Sequence, residues 1–508
     1  MMIVSLFPAS SADCTADRLS TIPILLRRKK VKDKKPAKIN RITSCHVLIR
    51  CNCLILRRTR PLSATRTPHI NYVISIAQRP TGGWYTCRMN IFFAGLGGVG
   101  MGPLAEIARD AGYSVFGSDV EEGLMTAKLA ENGIDVHIGP QDGSFLGSVH
   151  ESHPIDWFVY TPAIKEDHPE LVLAKKLGIP TAKRGEYLAH FIEEKNLKLI
   201  AVSGTHGKTT TTGMVIWTMK EIGIPISYSI GTTLTFGPSG AFDPKSEYFV
   251  YECDEFDRNM LYFSPYLALI PSLDYDHPDT YPTPKDYLDA FKEFALKSKS
   301  VIAWSDQHAE AFEGLNNVTL LEATKSMPDI AMIGLHNRRN AILVQDAFSQ
   351  LRISDDVGDI LLRFPGTDRR FEKLGDNLYS DYGHHPVEIA ATLQLARELS
   401  DHVVLVYQPH QNIRQHEIKD EYTNQFELAE DIYWLPTYLS REDPSLAILK
   451  PEELITNITN REHVHVAAFD DGLWNTIQQA RHDGKLVLGM GAGAIDGWLR
   501  EQVRKSSN

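Results

Sequence analysis

From residue 90 onward, short apolar runs alternate with longer stretches of helical spacing, a pattern that predicts an α/β protein built on parallel sheets. The first unit, NIFFAGLGGVGMGPLAEIARDAGYSVFGSD, reads as strand, glycine turn, helix and strand. An apolar run at 156–160 (DWFVY) and a helix near 169–177 extend it to about residue 188. A second unit opens with the strand LKLIAVSG and the helical TTTTGMVIWTMKEIG. It contains two further apolar runs, YFVYECDEFD (248–257) and LALIPSLDYDHPDTYP, that both end in acids. A third unit, from about residue 363, alternates VVLVYQPH (403–410), DIYWLP (431–436), VHVAAF (464–469) and KLVLGMGAGAID (485–496) with helical stretches. Neither sequence repeats nor coiled-coil heptads interrupt the pattern.

Length and charge refine this division. A chain of 508 residues has room for about three domains. With 43% apolar and 23% charged residues and no apolar run of about 18, it reads as a soluble globular protein without a membrane span. Residues 1–88 hold 17 of the 53 lysines and arginines but only 3 of the 64 acids, so the rest of the chain is net acidic by 25. Five of the six cysteines also lie there, leaving Cys253 alone in the body, as suits a reducing cytoplasm. The basic segment shows no clear helical or strand periodicity, and its apolar TIPILL is too short for a secretory core. It is expected to be disordered or to precede a true start at Met89. The expected division is therefore 1–88, 89–190, 191–362 and 363–508.

Candidate chemistry concentrates at turns. In VSGTHGKTTTT (202–212) a glycine turn stands between a strand and a helix, where backbone N–H groups and the helix dipole converge on phosphate. Lys208 would neutralise the β- and γ-phosphates and Thr209 would hold Mg²⁺. Only two residues separate Gly204 from Gly207, and Val202 stands where the common pattern has its first glycine. In the first unit Gly95, Gly97 and Gly100 have the G-x-G-x-x-G spacing, with Asp119 ending the second strand. They point to a phosphate or diphosphate; a dinucleotide is the usual reading, and a UDP group or a structural turn remain open. Glu252, Asp254 and Glu255, with Glu252 and Asp254 on one side by alternation, and Asp274, Asp276, His277 and Asp279 on the second acid-tipped run, are candidates to converge beside the phosphate loop.

Taken together, GLGGVGMGPLAEI, GTHGKTTTT, YECDEFD, HNRRNA (336–341), DYGHHPVEI (381–389) and QPHQNIR (408–414) resemble the Mur ligases, ATP-dependent amide-forming enzymes of peptidoglycan precursor synthesis. The resemblance covers nearly all of residues 89–508. It implies a Rossmann-like N-terminal UDP-binding domain, a central P-loop ATPase domain and a C-terminal Rossmann-like α/β domain. By the same resemblance, ATP would be held by Gly204, Thr205, His206, Gly207, Lys208, Thr209 and Thr210, with His336, Asn337 and Asn340 on the adenine side, Asp381 on the ribose side, and Arg369 near the phosphates. Lys208, Glu252, His277 and Arg370 would be catalytic; Thr209, Glu252 and His277 would bind Mg²⁺. Gly95, Gly97, Gly98, Val99, Gly100 and Asp119 would hold the UDP of the sugar substrate, and Tyr382, His384 and Arg414 would lie near the amine.

The expected reaction joins the carboxylate of UDP-N-acetylmuramate to L-alanine through an acyl phosphate. Small molecules would be its only partners, with neither nucleic acid nor membrane, for a cytoplasmic monomer or homodimer. Two departures bear on the amine. Family members that take L-alanine usually carry an arginine directly after QPH, where this chain has Gln411, and Phe256 resembles instead the branch that joins a recycled tripeptide to the same sugar. A single His at 384 or 385 also reads as a packed core residue. The rivals from other classes are an NAD-dependent oxidoreductase, suggested by the first glycine turn and Asp119, and a non-catalytic ATP-binding scaffold.

Overall fold

Strand Lys198–Val202 is buried along nearly its whole length, which explains why it reads as an unbroken apolar run: it lies inside a sheet covered on both faces. That sheet has seven strands in the order Gly240–Ala241, Ile226–Ser229, Tyr248–Glu252, Lys198–Val202, Leu267–Ile270, Val301–Trp304 and Val318–Leu321. All pair in parallel except the first, which runs antiparallel to its neighbour. The structure, a computed structural model, describes residues 89–508 apart from 99, 278–279, 323–331, 441 and 508, together with two short strands near the N-terminus.

The N-terminal sheet is all parallel, in the order Asp135–Ile138, Ser114–Asp119, Asn90–Ala94, Trp157–Tyr160, Thr181–Lys183. Its first strand in sequence is central and the chain winds outward on both sides, the Rossmann arrangement, which puts a switch point at Gly95. The C-terminal sheet runs Glu372–Gly375, Leu378–Asp381, Leu486–Met490, Val403–Tyr407, Asp431–Trp434, Val464–Val466, and only its first strand is antiparallel. Val403, Leu405 and Tyr407 face one apolar cluster and Val404 and Val406 another, the period-two division of a strand buried on both sides. The fold is thus α/β with three domains.

The cores are not equally separate. Ile91, Phe93, Met101 and Phe191 of the N-terminal sheet and its helices share one cluster with Leu199, Ala201, Phe249, Phe291 and Val301 of the central sheet and its helices. The C-terminal sheet keeps its own two clusters.

Residues 55–57 and 73–75 form an antiparallel strand pair in the segment where no periodicity was read, because three residues are too few to show alternation. The expected site residues Val99 and Asp279 lie outside the described residues, as does the rest of 1–88. Among the described residues no helix is long and apolar enough to cross a membrane.

Candidate active site

The phosphate loop leaves the central strand Lys198–Val202, whose two neighbours are Tyr248–Glu252 and Leu267–Ile270. Both acid-tipped runs therefore open beside it, and the topology brings together what the sequence placed on separate strands. Gly204 has φ +140° and approaches the next loop so closely that a Cβ there would lie 2.5 Å from the Ser272 carbonyl oxygen. Gly207, at φ +81°, caps the helix Lys208–Glu221, and Asn340 Oδ1 stands 2.9 Å from where its Cβ would be. Glycine is required at both positions by backbone conformation and by space.

Lys208 Nζ donates to Gly204 O (2.5 Å) and Thr205 O (3.0 Å) and pairs with Glu255 (2.9 Å). Glu255 is almost wholly buried; burial pulls its pKa up, but Lys208 and His277 (Nε2 to Oε1, 3.5 Å) outweigh that and hold it below the usual carboxylate range. Thr209 donates its hydroxyl to Glu252 Oε1 (2.6 Å), and Gly231 N–H donates to Glu252 Oε2 (2.7 Å). Asp254 and Glu252 both lie within electrostatic reach of Lys208 and Arg184. The strand ends at Glu252, so alternation stops there, and Asp254 turns toward Arg184 (3.9 Å).

The C-terminal domain closes the other side. Arg369 (φ +59°) and Phe371 (φ +48°) flank Arg370 in left-handed conformations, and buried Asp381 straps this turn by accepting from Phe371 N–H (2.8 Å) and Gly383 N–H (2.7 Å). The Arg369 and Arg370 guanidinium groups lie 4.4 and 5.2 Å from the Tyr382 ring centroid. Arg370 also reaches Glu388 (3.8 Å), which pairs with His206 of the phosphate loop (Nδ1 to Oε1, 3.3 Å). Arg414 donates to His384 Nε2 (2.7 Å) and pairs with Asp276 (3.4 Å). Burial raises Asp276, but Arg414 and His277 prevail and hold it at about 2.

Burial drives His384 down to about 3 and His385 to about 4, so both are neutral, as packed histidines are. His336 is pushed down to about 4 by burial and by Arg370, and its Nδ1 has no hydrogen-bond partner. Asn340 is buried with Nδ2 unpaired, whereas Asn337 donates to Ile333 O (3.1 Å), just before the start of its helix. Thr205 caps the arrangement by hydrogen bonding to Tyr287 OH (2.7 Å). Thr210 follows Thr209 in the first turn of the helix.

In the N-terminal domain Gly95 N–H donates to Ser118 O (2.8 Å), Gly98 N–H to Gly95 O (3.3 Å) and Gly97 N–H to Asp119 Oδ2 (2.6 Å). Asp119 thus braces the glycine turn. The Arg184 guanidinium lies across Gly100, 1.6 Å from where a Cβ would stand.

Sequence reasoning missed Arg184 and Glu388, and it did not pair Glu255 with Lys208. Glu388 carried a signal, since a glutamate three residues after a helix N-cap completes a capping box, and it does so here with His385. Arg184 carried none, because only packing sets it over Gly100.

The family model for the Mur ligase family catalytic domain matches residues 90–196, and that for the Mur ligase middle domain matches residues 202–327. The chain is 31% identical to a UDP-N-acetylmuramate--L-alanine ligase of Carboxydothermus hydrogenoformans, over 80% of this chain and 94% of that protein. Its fold is similar to that of a UDP-N-acetylmuramate-alanine ligase from Thermotoga maritima, with TM-score 0.65 and 24% identity, covering 83% of this chain and 99% of that one. It is also similar to a murein peptide ligase from Psychrobacter arcticus, with TM-score 0.55 and 21% identity, covering 83% and 99%. Two family matches in chain order and a relative of this identity along four-fifths of the sequence establish that the chain belongs to the Mur ligase family.

Proposed function

We propose that the chain joins the carboxylate of UDP-N-acetylmuramate to L-alanine, using ATP and passing through an acyl phosphate. The observation that carries this reading is the junction at the phosphate loop, where Lys208, the acid ends of two strands, and Arg370 and Arg414 from the C-terminal domain surround one space. A carboxylate is a poor electrophile, and negative charge accumulates both when it takes a phosphoryl group and when an amine attacks the product. The work is therefore positioning and charge neutralisation.

Lys208, held at the loop by Gly204 O and Thr205 O, is placed to exchange Glu255 for phosphate oxygens. His336 and Asn340 lie on the nucleotide's base side of the loop by this assignment, and Asp381 acts through the Arg369–Phe371 turn it straps. The Thr209 hydroxyl and Glu252 carboxylate, 2.6 Å apart, are hard oxygen donors that fit Mg²⁺, with His277 completing the set. Among the described residues no three His, Cys, Asp or Glu side chains form a ready-made cation site. That fits an ion that reaches the site on triphosphate oxygens and keeps few protein ligands. Bound there, Mg²⁺ would neutralise charge on the transferring phosphate.

Gly95, Gly97, Gly98 and Gly100, braced by Asp119, form the turn assigned to the UDP group. His384, neutral and hydrogen-bonded to Arg414, and Tyr382 beside it form the side assigned to the amine. A tripeptide in place of L-alanine draws support from Phe256, whose ring packs edge-on to His277 at 5.3 Å, and from Gln411 after the QPH triplet. ADP release with UDP-N-acetylmuramate and either L-alanine or tripeptide tests the choice. Stimulation by L-alanine is expected; stimulation by tripeptide alone would replace L-alanine, and ADP release independent of the sugar acid would end the ligase reading.

A further inference from the structure

Glu388 is the one carboxylate that touches the phosphate loop from the C-terminal domain, among the described contacts of that loop. It stands at the third position of the helix Pro386–Leu399. Its Oε2 is fixed by its own helix end, accepting from His384 N–H (3.0 Å) and His385 N–H (3.3 Å). Its Oε1 is thereby aimed outward, at His206 Nδ1 (3.3 Å) and Arg370 Nη1 (3.8 Å).

His206 is flanked on both ring nitrogens by carboxylates. Its N–H donates to Ser272 Oγ (2.8 Å), its Nε2 faces Asp274 (3.6 Å), and its ring packs on that of His385 at 5.1 Å between centroids. Burial works against a charge on His206, but Glu388 and Asp274 outweigh it and raise its pKa. Burial also works against charge on Glu388; His206 and Arg370 outweigh it and keep the carboxylate ionised. A helix cap alone needs neither of these outward contacts.

Resting on the ATP-dependent ligase reading above, we infer that Glu388 is the positioning residue that registers the C-terminal domain against the phosphate loop, setting His206 and Arg370 together for phosphoryl transfer. One rigid carboxylate fixes a loop residue two positions before Lys208 and an arginine from another domain, so an error in docking moves both at once. Arginine charge is useful in phosphoryl transfer only where the transferring group arrives, and small misplacements cost large factors in rate.

Glu388→Gln separates this role from capping, because a glutamine oxygen still accepts the two cap N–H groups while the charge is gone. We expect this variant to melt with the wild type and to bind a non-hydrolysable ATP analogue within about twofold, while kcat for ADP formation with UDP-N-acetylmuramate and L-alanine falls roughly 10- to 100-fold. His206→Asn should lower kcat similarly, and the double variant should be little worse than either single one, the mark of residues acting as a unit. Wild-type-like kcat in Glu388→Gln, or losses that multiply in the double variant, would overturn the inference while leaving the ligase reading intact. Absence of acid-dependent ADP formation in the wild type would remove both.

Discussion

The central domain meets its two neighbours through joints of different balance, the first mainly apolar and the second mainly ionic. Toward the N-terminal domain the contact is a continuous apolar core: Phe191 packs edge-on to Phe242 at 5.4 Å, and Gly240 lies so close to the helix Met101–Asp110 that a Cβ would stand 2.2 Å from Pro103 O. It also carries polar contacts: buried Glu106 accepts from Gly240 N–H (3.2 Å), Lys183 pairs with Asp257 (2.9 Å), and Arg184 faces Asp254 (3.9 Å). Toward the C-terminal domain the joint is ionic: His206–Glu388, Arg414–Asp276, Arg338–Glu398 with Gly334 N–H, and Thr233–Asp368. Burying apolar area stabilises without regard to what is bound, whereas a half-buried ion pair exchanges its partners for ligand oxygens at small net cost. The first joint should behave as fixed and the second as one that opens and closes around substrates.

Removing the charge at the centre of the ionic joint should have the largest effect. Lys208→Ala is expected to lower ATP turnover about 10³-fold or more, since the loop loses its phosphate-directed cation. Binding of UDP-N-acetylmuramate, assigned to the far side of the apolar joint, should stay within about twofold by calorimetry. Equal loss of both would mean that the two joints do not separate two ligand sites.

The apolar joint breaks differently. Gly240→Ala forces a methyl group against backbone atoms of Pro103, which cannot yield as a flexible side chain would, and should destabilise by about 3 kcal/mol. Urea unfolding followed by tryptophan fluorescence reads this loss. At temperatures where the variant is folded, kcat should remain close to wild type. A drop in kcat without a drop in stability would show that this joint, too, moves during turnover.

The same division explains what could be read from the sequence. Features fixed by neighbours in the chain were legible: the glycine turns at Gly95–Gly100 and Gly204–Gly207, the Lys208–Thr209 helix start, and the acids ending Tyr248–Glu252. Their convergence followed once Lys198–Val202 was known to lie between the two acid-tipped strands. Residues whose roles depend on packing between domains were not legible. Arg184 acquires meaning by facing Asp254, Asp276 by meeting Arg414, and the outward oxygen of Glu388 by meeting His206. Alternation alone could not place Asp254, because the strand stops at Glu252 and Asp254 is set by facing Arg184. The helix Lys208–Glu221 is buried nearly all round, so its threonines and methionines carry no apolar stripe from which its packing could have been foretold.

Two buried glutamates sharpen the comparison one step further. Glu388, among cations at the ionic joint, stays charged; Glu170, 1% exposed in the N-terminal domain, has the Ser118 hydroxyl (2.8 Å) on Oε2 and no partner on Oε1, and burial pushes it up to about 7. A carboxyl raised above its unfolded value holds its proton better when folded, so its contribution to stability is intact below about pH 4.5 and is lost as pH rises through about 7. Glu170→Gln has no proton to lose. Relative to wild type the variant should gain stability across that window, reaching about 3 kcal/mol at pH 8, and the gain should level off above it. Parallel urea titrations at pH 5 and pH 8 measure the difference, with turnover at pH 8 unchanged because Glu170 lies away from the ionic joint. A constant offset at both pH values would show that Glu170 is already ionised in the folded chain, and that buried carboxylates in the two domains are held by the same means.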